Sequence, residues 1–118
     1  MSTGYLTTHV LDTARGCPAV GLTIELFRLD GSLDGGRLLI ATKVTNSDGR
    51  TDGPILPEAA FALGAYELVF HAGDYLVAHG MTRDFLDIVP IRFGMAADDH
   101  YHVPLLLSPF SYSTYRGS

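Results

Sequence analysis

Hydrophobic and polar residues alternate with a period of two over much of this chain, in short runs separated by turn-forming residues. Successive side chains of a strand point to opposite faces, so the pattern predicts half-buried strands rather than helices. In the first run Leu6, Thr8 and Val10 face one way, and Tyr5, Thr7, His9 and Leu11 the other. A turn-rich stretch from Asp12 to Pro18 leads to the clearest strand, Val20 to Leu29, in which Val20, Leu22, Ile24 and Leu26 oppose Gly21, Thr23 and Glu25. The glycine-rich segment from Asp30 to Gly36 reads as a hairpin loop, because it lacks the Gly-Lys-Ser/Thr ending and following helix of a phosphate cradle. A third strand follows from Arg37 to Thr45. Asp48-Gly49 is then a strong turn signal, and Arg50 emerges directly after it.

Further on, Ala65 to His71 sets Tyr66, Leu68 and Phe70 against Glu67, Val69 and His71, and Val89 to Met95 sets Val89, Ile91, Phe93 and Met95 against Arg92. Between them, Gly73 to Gly80 is the one helix candidate, with Asp74 placed to cap the first free amides and Gly80 to end it. After Asp98-Asp99 comes a closing hairpin. Its first arm has Tyr101, Val103, Leu105 and Leu107 on one face and His102, Pro104 and Leu106 on the other. Ser108-Pro109-Phe110-Ser111 supplies turn chemistry, and Tyr112, Thr114 and Arg116 share a face of the second arm, with Ser118 in phase.

Seven to eight short strands in two sheets with one short helix predict an all-β sandwich, a single domain spanning residues 1–118. Such a sandwich leaves sheet edges open, and edges need cover, so association between copies is expected. Hydrophobic residues make up 47% and charged residues 18%, as in compact globular chains rather than disordered ones. The net charge of -5 without a basic run offers nothing to nucleic acid or to an anionic membrane. No run reaches the roughly 18 apolar residues of a membrane span, and no secretory signal opens the chain, so a cytoplasmic location is expected. With Cys17 alone, an internal disulfide is impossible.

The candidates for chemistry are histidines and arginines. His71, His79 and His100 read as loop or surface positions near turns. His9 and His102 differ, since each occupies a strand position where a branched aliphatic residue is the easier choice; they are either satisfied structural groups or functional ones. Arg50 and Arg116, taken alone, are solvated charges or anion-binding groups. His100 and His102 are two apart on one strand face, but no spaced motif supplies the further ligands of a catalytic zinc, so no metal is expected. No histidine is placed by the sequence to activate Cys17.

Leu6-Thr7-Thr8-His9-Val10-Leu11-Asp12-Thr13, Gly16-Cys17-Pro18-Ala19, Asn46-Ser47-Asp48-Gly49-Arg50, the run from His100 to Phe110, and Tyr115-Arg116-Gly117-Ser118 together closely resemble the 5-hydroxyisourate hydrolases, transthyretin-related enzymes of urate breakdown. The likeness covers essentially the whole chain, and the terminal Tyr-Arg-Gly-Ser is its most specific part. It implies a transthyretin-like sandwich, four subunits assembled as a dimer of dimers with sites between dimers, and hydrolysis of 5-hydroxyisourate without metal or organic cofactor. It also implies that His9, Arg50, His102 and Ser118 are catalytic, and that Arg50, Tyr115, Arg116, Gly117 and Ser118 bind substrate.

Those residue types suit that chemistry. Opening a lactam needs a base for the attacking water and donors for the oxyanion. Histidine titrates near neutrality, and a forked guanidinium holds electron-rich oxygens in a fixed pose. Which histidine is the base stays open, as does whether Arg116 binds substrate or anchors the tail to a carboxylate. Two other readings compete: a transthyretin-like carrier of a small aromatic ligand, for which the strand histidines and this tail are not expected, and a structural module whose last hairpin seals an edge.

Overall fold

In the computed structural model, which describes residues 3–32 and 34–117, the alternation becomes two four-stranded sheets. The strands are β1 (Tyr5–Asp12), β2 (Cys17–Pro18), β3 (Thr23–Leu29), β4 (Arg37–Val44), β5 (Gly64–His71), β6 (Ile88–Met95), β7 (His100–Leu107) and β8 (Tyr112–Thr114), with helix α1 (Ala72–Ala78) between β5 and β6. One sheet has the order β2-β1-β7-β8 and the other β4-β3-β5-β6. Neighbouring strands are antiparallel except β1 and β7, which run parallel.

The inner faces are those the alternation predicts. Leu6, Val10, Leu105 and Leu107 from the first sheet join one buried cluster with Ile24, Leu26, Leu68 and Phe70 from the second. The partly exposed residues of β1 are the alternate set, Tyr5, Thr7, His9 and Leu11. On the outer face of the second sheet, buried Glu67 lies between Arg37 (2.7 Å) and Arg92 (2.8 Å). Burial opposes the charge of Glu67, but the two guanidinium bonds outweigh it and hold the carboxyl below its usual range.

Three local expectations change. The strand expected from Val20 begins at Thr23, and Val20 is 43% exposed, because Gly21 turns the chain at a positive φ of 82°. Cys17–Pro18, read as part of a turn, pairs with Leu11 and Asp12 as a two-residue strand. The helix forms where expected and Gly80 ends it at φ 77°, yet Asp74 does not cap it. His71 is the cap position and makes no side-chain bond, while Asp74 lies inside the first turn and pairs with Arg83. The Asp87 carbonyl accepts the Gly73 amide instead, at 2.7 Å.

Asp12, which opens a predicted turn stretch, is buried at 1% exposure. The Tyr75 hydroxyl donates to its Oδ2 at 2.7 Å and the Arg15 amide to its Oδ1 at 2.9 Å, tying α1 to the end of β1. Burial and the adjoining carboxylate push the Tyr75 phenol well above its ordinary range, so it stays a donor. Tyr75→Phe strands one oxygen of a buried carboxylate and is expected to lower unfolding free energy by about 1–3 kcal/mol. Urea unfolding checks this, and an unchanged midpoint contradicts it.

Candidate active site

The in-register pairing of β1 with β7 decides which side chains meet on the outer face of the first sheet. Tyr5 pairs with His100, Thr7 with His102 and His9 with Pro104. The period of two then puts Tyr5, Thr7 and His9 on the same face as His100 and His102. Both strands bury the opposite set, so the register is anchored from beneath.

Thr7 is the centre of this face. Its Oγ1 lies 2.7 Å from His100 Nε2 and 2.8 Å from His102 Nδ1, so one hydroxyl holds two imidazoles. Tyr5 stacks flat on His100, with centroids 4.1 Å apart and planes 8° from parallel. The two histidine rings are 6.3 Å apart. With Nδ1 of His102 engaged, Nε2 is the nitrogen left to meet a reacting molecule.

Arg50 reaches the same face from the other edge of β1. The Asn46 side chain accepts the amides of Asp48 and Arg50, closing the turn, and the Gly49 carbonyl accepts the Val10 amide at 2.8 Å. Gly49 is required there, since its φ is 73° and a Cβ would sit 2.5 Å from the Val10 carbonyl. The turn thereby delivers Arg50 into an antiparallel bridge with His9, which puts their side chains on one face. Beside it, Thr7, Thr8, Arg50, Thr51, Gly53 and Pro54 line a cleft of about 220 Å³.

Electrostatically this is a site for neutral imidazoles. Burial lowers the pKa of His9 below the usual 6.5 and the Arg50 charge lowers it further, against an opposing pull from the backbone and carboxylate of Asp48. His102 is lowered by burial first, then by Arg50, His100 and His9. Near pH 7 both rings therefore carry a lone pair, as a general base needs.

The closing tail returns to this face at one point. The Gly117 amide donates to the His102 carbonyl at 2.7 Å, in the register that pairs Leu105 with Thr114. The intervening pair, Pro104 with Tyr115, is incomplete because proline has no N–H, and β8 accordingly stops at Thr114. A Cβ on Gly117 would lie 2.6 Å from His102 Cδ2, so only glycine lets the chain pass so close to the ring.

The structure thus gathers His9, Arg50, His102 and Gly117, with Tyr115 exposed just before the contact. It does not bring Arg116 to them. The register puts Arg116 opposite Val103, on the core side of the sheet, where it stacks 4.2 Å above the Tyr101 ring and donates to Asp99 at 3.0 Å. It borders a separate cleft of about 230 Å³ with Ile91, Phe93 and Tyr101. Ser118 lies outside the described residues. Sequence reading sets His100 aside and passes over Tyr5 and Thr7, yet all three belong to the cluster. The usable signal was the His100-Tyr101-His102 spacing, which places two imidazoles on one strand face. His71 and His79 are occupied elsewhere, by Glu25 at 2.7 Å and by Arg15 at 2.7 Å. Among the described residues no three histidine, cysteine or carboxylate side chains are grouped to hold a metal ion.

Comparison with known proteins gives a consistent result. The family model described as HIUase/Transthyretin family matches residues 6–117. A protein of Rhizobium meliloti (strain 1021) named 5-hydroxyisourate hydrolase 2 is 63% identical over 119 residues, covering 98% of this chain and 97% of its own. The solved 5-hydroxyisourate hydrolase of Klebsiella pneumoniae is 34% identical at a TM-score of 0.81, covering 100% of this chain and 96% of its own. The transthyretin of Sparus aurata is 31% identical at a TM-score of 0.85, covering 95% of both chains.

The shared influence of Arg50 gives a direct test. Proton titration followed by NMR should place His9 and His102 below 6.5. Arg50→Gln removes a positive charge that disfavours imidazolium, so both midpoints should move up towards 6.5. Midpoints that stay put, or fall, contradict the geometry.

Proposed function

We propose that this chain, which belongs to the HIUase/Transthyretin family, hydrolyses 5-hydroxyisourate in purine catabolism. The observation that carries the reading is the convergence of two neutral imidazoles and a guanidinium on one open sheet face. One imidazole takes a proton from water as the water oxygen attacks the lactam carbonyl carbon. Arg50 holds the developing oxyanion. The carbon–nitrogen bond then breaks and the proton is returned to the leaving nitrogen, giving 2-oxo-4-hydroxy-4-carboxy-5-ureidoimidazoline. These groups supply base, acid and anion binding, so the reading calls on no metal or organic cofactor.

Substrate is held by Arg50 and by the tail residues Tyr115, Gly117 and Ser118, of which Gly117 passes over His102. Arg116 serves the tail by latching it to Asp99 and Tyr101. A homotetramer built as a dimer of dimers completes the site. Two features support assembly: β6 and β8 are edge strands that both line the cleft that Arg116 borders, and Phe85, Phe110 and Tyr115 are exposed.

The test follows absorbance decay of freshly generated 5-hydroxyisourate. Intact protein should speed the decay, His102→Asn should lose about 10²–10⁴-fold of that gain, and Arg50→Gln about 10²–10³-fold. Equal decay with and without protein removes the hydrolase reading in favour of a carrier or structural one. Gly117→Ala should reduce turnover while leaving the urea midpoint nearly unchanged, because the clash falls on the His102 ring and not on the core. Wild-type turnover in that variant means the tail is not part of the site.

A further inference from the structure

The hydroxyl shared by His100 and His102 has a consequence for the reaction itself. Thr7 has one hydroxyl proton and two imidazole nitrogens within hydrogen-bonding reach, at 2.7 and 2.8 Å. It can donate to only one of them, so the other nitrogen must carry a proton and donate to Thr7. The tautomers of the two rings are therefore coupled through Thr7. If the hydroxyl donates to His100 Nε2, His102 is protonated on Nδ1 and presents a bare Nε2. If it donates to His102, that ring is protonated on Nε2 and has no lone pair to offer there.

We propose that Thr7 and His100 are positioning residues that make His102 the general base, with Thr7 fixing its proton on Nδ1 and His100 receiving that proton through the Thr7 hydroxyl during turnover. This rests on the hydrolytic reading above. As the water oxygen attacks, its proton goes to His102 Nε2. The Nδ1 proton of His102 passes to Thr7 Oγ1, and the Thr7 hydroxyl proton passes to His100 Nε2. The charge then resides on His100, and reversal of the same path delivers a proton from His102 Nε2 to the leaving nitrogen. Each bond formed is matched by one broken, and no outside reagent is needed.

The surroundings favour that direction. Burial, Arg50, His100 and His9 all oppose positive charge on His102. His9, bridged to Arg50, pairs with Pro104, so His102 is two residues along β7 from that point and His100 is four. At about 3.3 Å per residue, the backbone separation grows from about 7 Å to about 13 Å as the charge moves. His100 lies flat on the Tyr5 ring, whose face attracts a cation. The Asp99 carboxylate accepts the His100 amide at 2.9 Å, and Arg116, which donates to the His100 carbonyl at 3.3 Å, is itself paired with Asp99.

Thr7→Val removes the hydroxyl while keeping the branched shape that suits a strand; Thr7→Ser keeps the hydroxyl. With 5-hydroxyisourate as substrate, Thr7→Val is expected to lower kcat about 10²-fold with KM little changed, and Thr7→Ser to restore it. His100→Gln, which keeps a hydrogen-bonding group beside Thr7 but cannot take up the charge, should lower kcat as well. The readout independent of turnover is the imidazole ¹⁵N spectrum of histidine-labelled protein, in which His102 should be the Nδ1–H tautomer and should lose that preference in Thr7→Val. Wild-type kcat in both Thr7→Val and His100→Gln, or an Nε2–H tautomer for His102 in the unmodified protein, overturns the proposal. If the unmodified protein fails to speed the decay, both the hydrolytic reading and the turnover relay fall. An Nδ1–H tautomer lost in Thr7→Val would then still show the Thr7 coupling.

Discussion

Eight consecutive residues of β1 pair in parallel with eight of β7, and the site depends on that register. The partners are 95 positions apart in the chain, so no local interaction brings Thr7 to His102. The alignment is enforced from the other face, where Leu6, Val10, Leu105 and Leu107 are buried almost completely. A slip of one residue would turn those aliphatics to water and the histidines into the core. Precision at the polar face is thus inherited from hydrophobic burial on the far side of the same two strands, and a site built on paired strands is held more rigidly than one on loops.

The electrostatic design follows from where the arginine is placed. Partial burial disfavours protonation of the two imidazoles, and a guanidinium on the same sheet face acts in the same sense. The effect keeps lone pairs available near neutral pH without burying either ring completely. In the proposed reaction the arginine serves two purposes, since the charge that disfavours imidazolium is also the charge that meets the oxyanion. The Asn46–Gly49 turn is what allows this, because it fixes the backbone of Arg50 against His9 while leaving the long side chain exposed.

Much of this was legible in the sequence. The inward and outward sets of β1, β6 and β7 follow from simple alternation, because each strand has one face on the core. Val20 broke the rule because an apolar residue before a glycine in the left-handed region belongs to the turn, not to the strand. His9, Arg50 and His102 stood out through residue type and position. Thr7 and Tyr5 did not, because threonine and tyrosine are ordinary strand residues and only a partner across the sheet gives them a role. His100 lies at the first position of β7, where the nearby Asp98-Asp99 turn made it look like a surface histidine. Nothing local distinguishes a histidine beside a turn from one that opens a strand; the parallel partner, which sequence spacing cannot name, decides it.

The tail shows how adjacent residues can divide two tasks. In an extended segment neighbours point to opposite faces, so a residue reaching the core side is followed by one facing the histidines. Arg116 uses the first position to clamp the segment, stacking on Tyr101 and pairing with Asp99. Gly117 uses the second to pass over His102 closer than any other residue could. Regular pairing could not have fixed this stretch, because Pro104 denies it a backbone donor midway. The clamp therefore acts with the Thr114 hydroxyl, which donates to the Pro104 carbonyl, and the Gly117 amide, which donates to the His102 carbonyl, to hold the tail in register beyond the missing bond. The Arg116 side chain itself stays on the face away from the histidines.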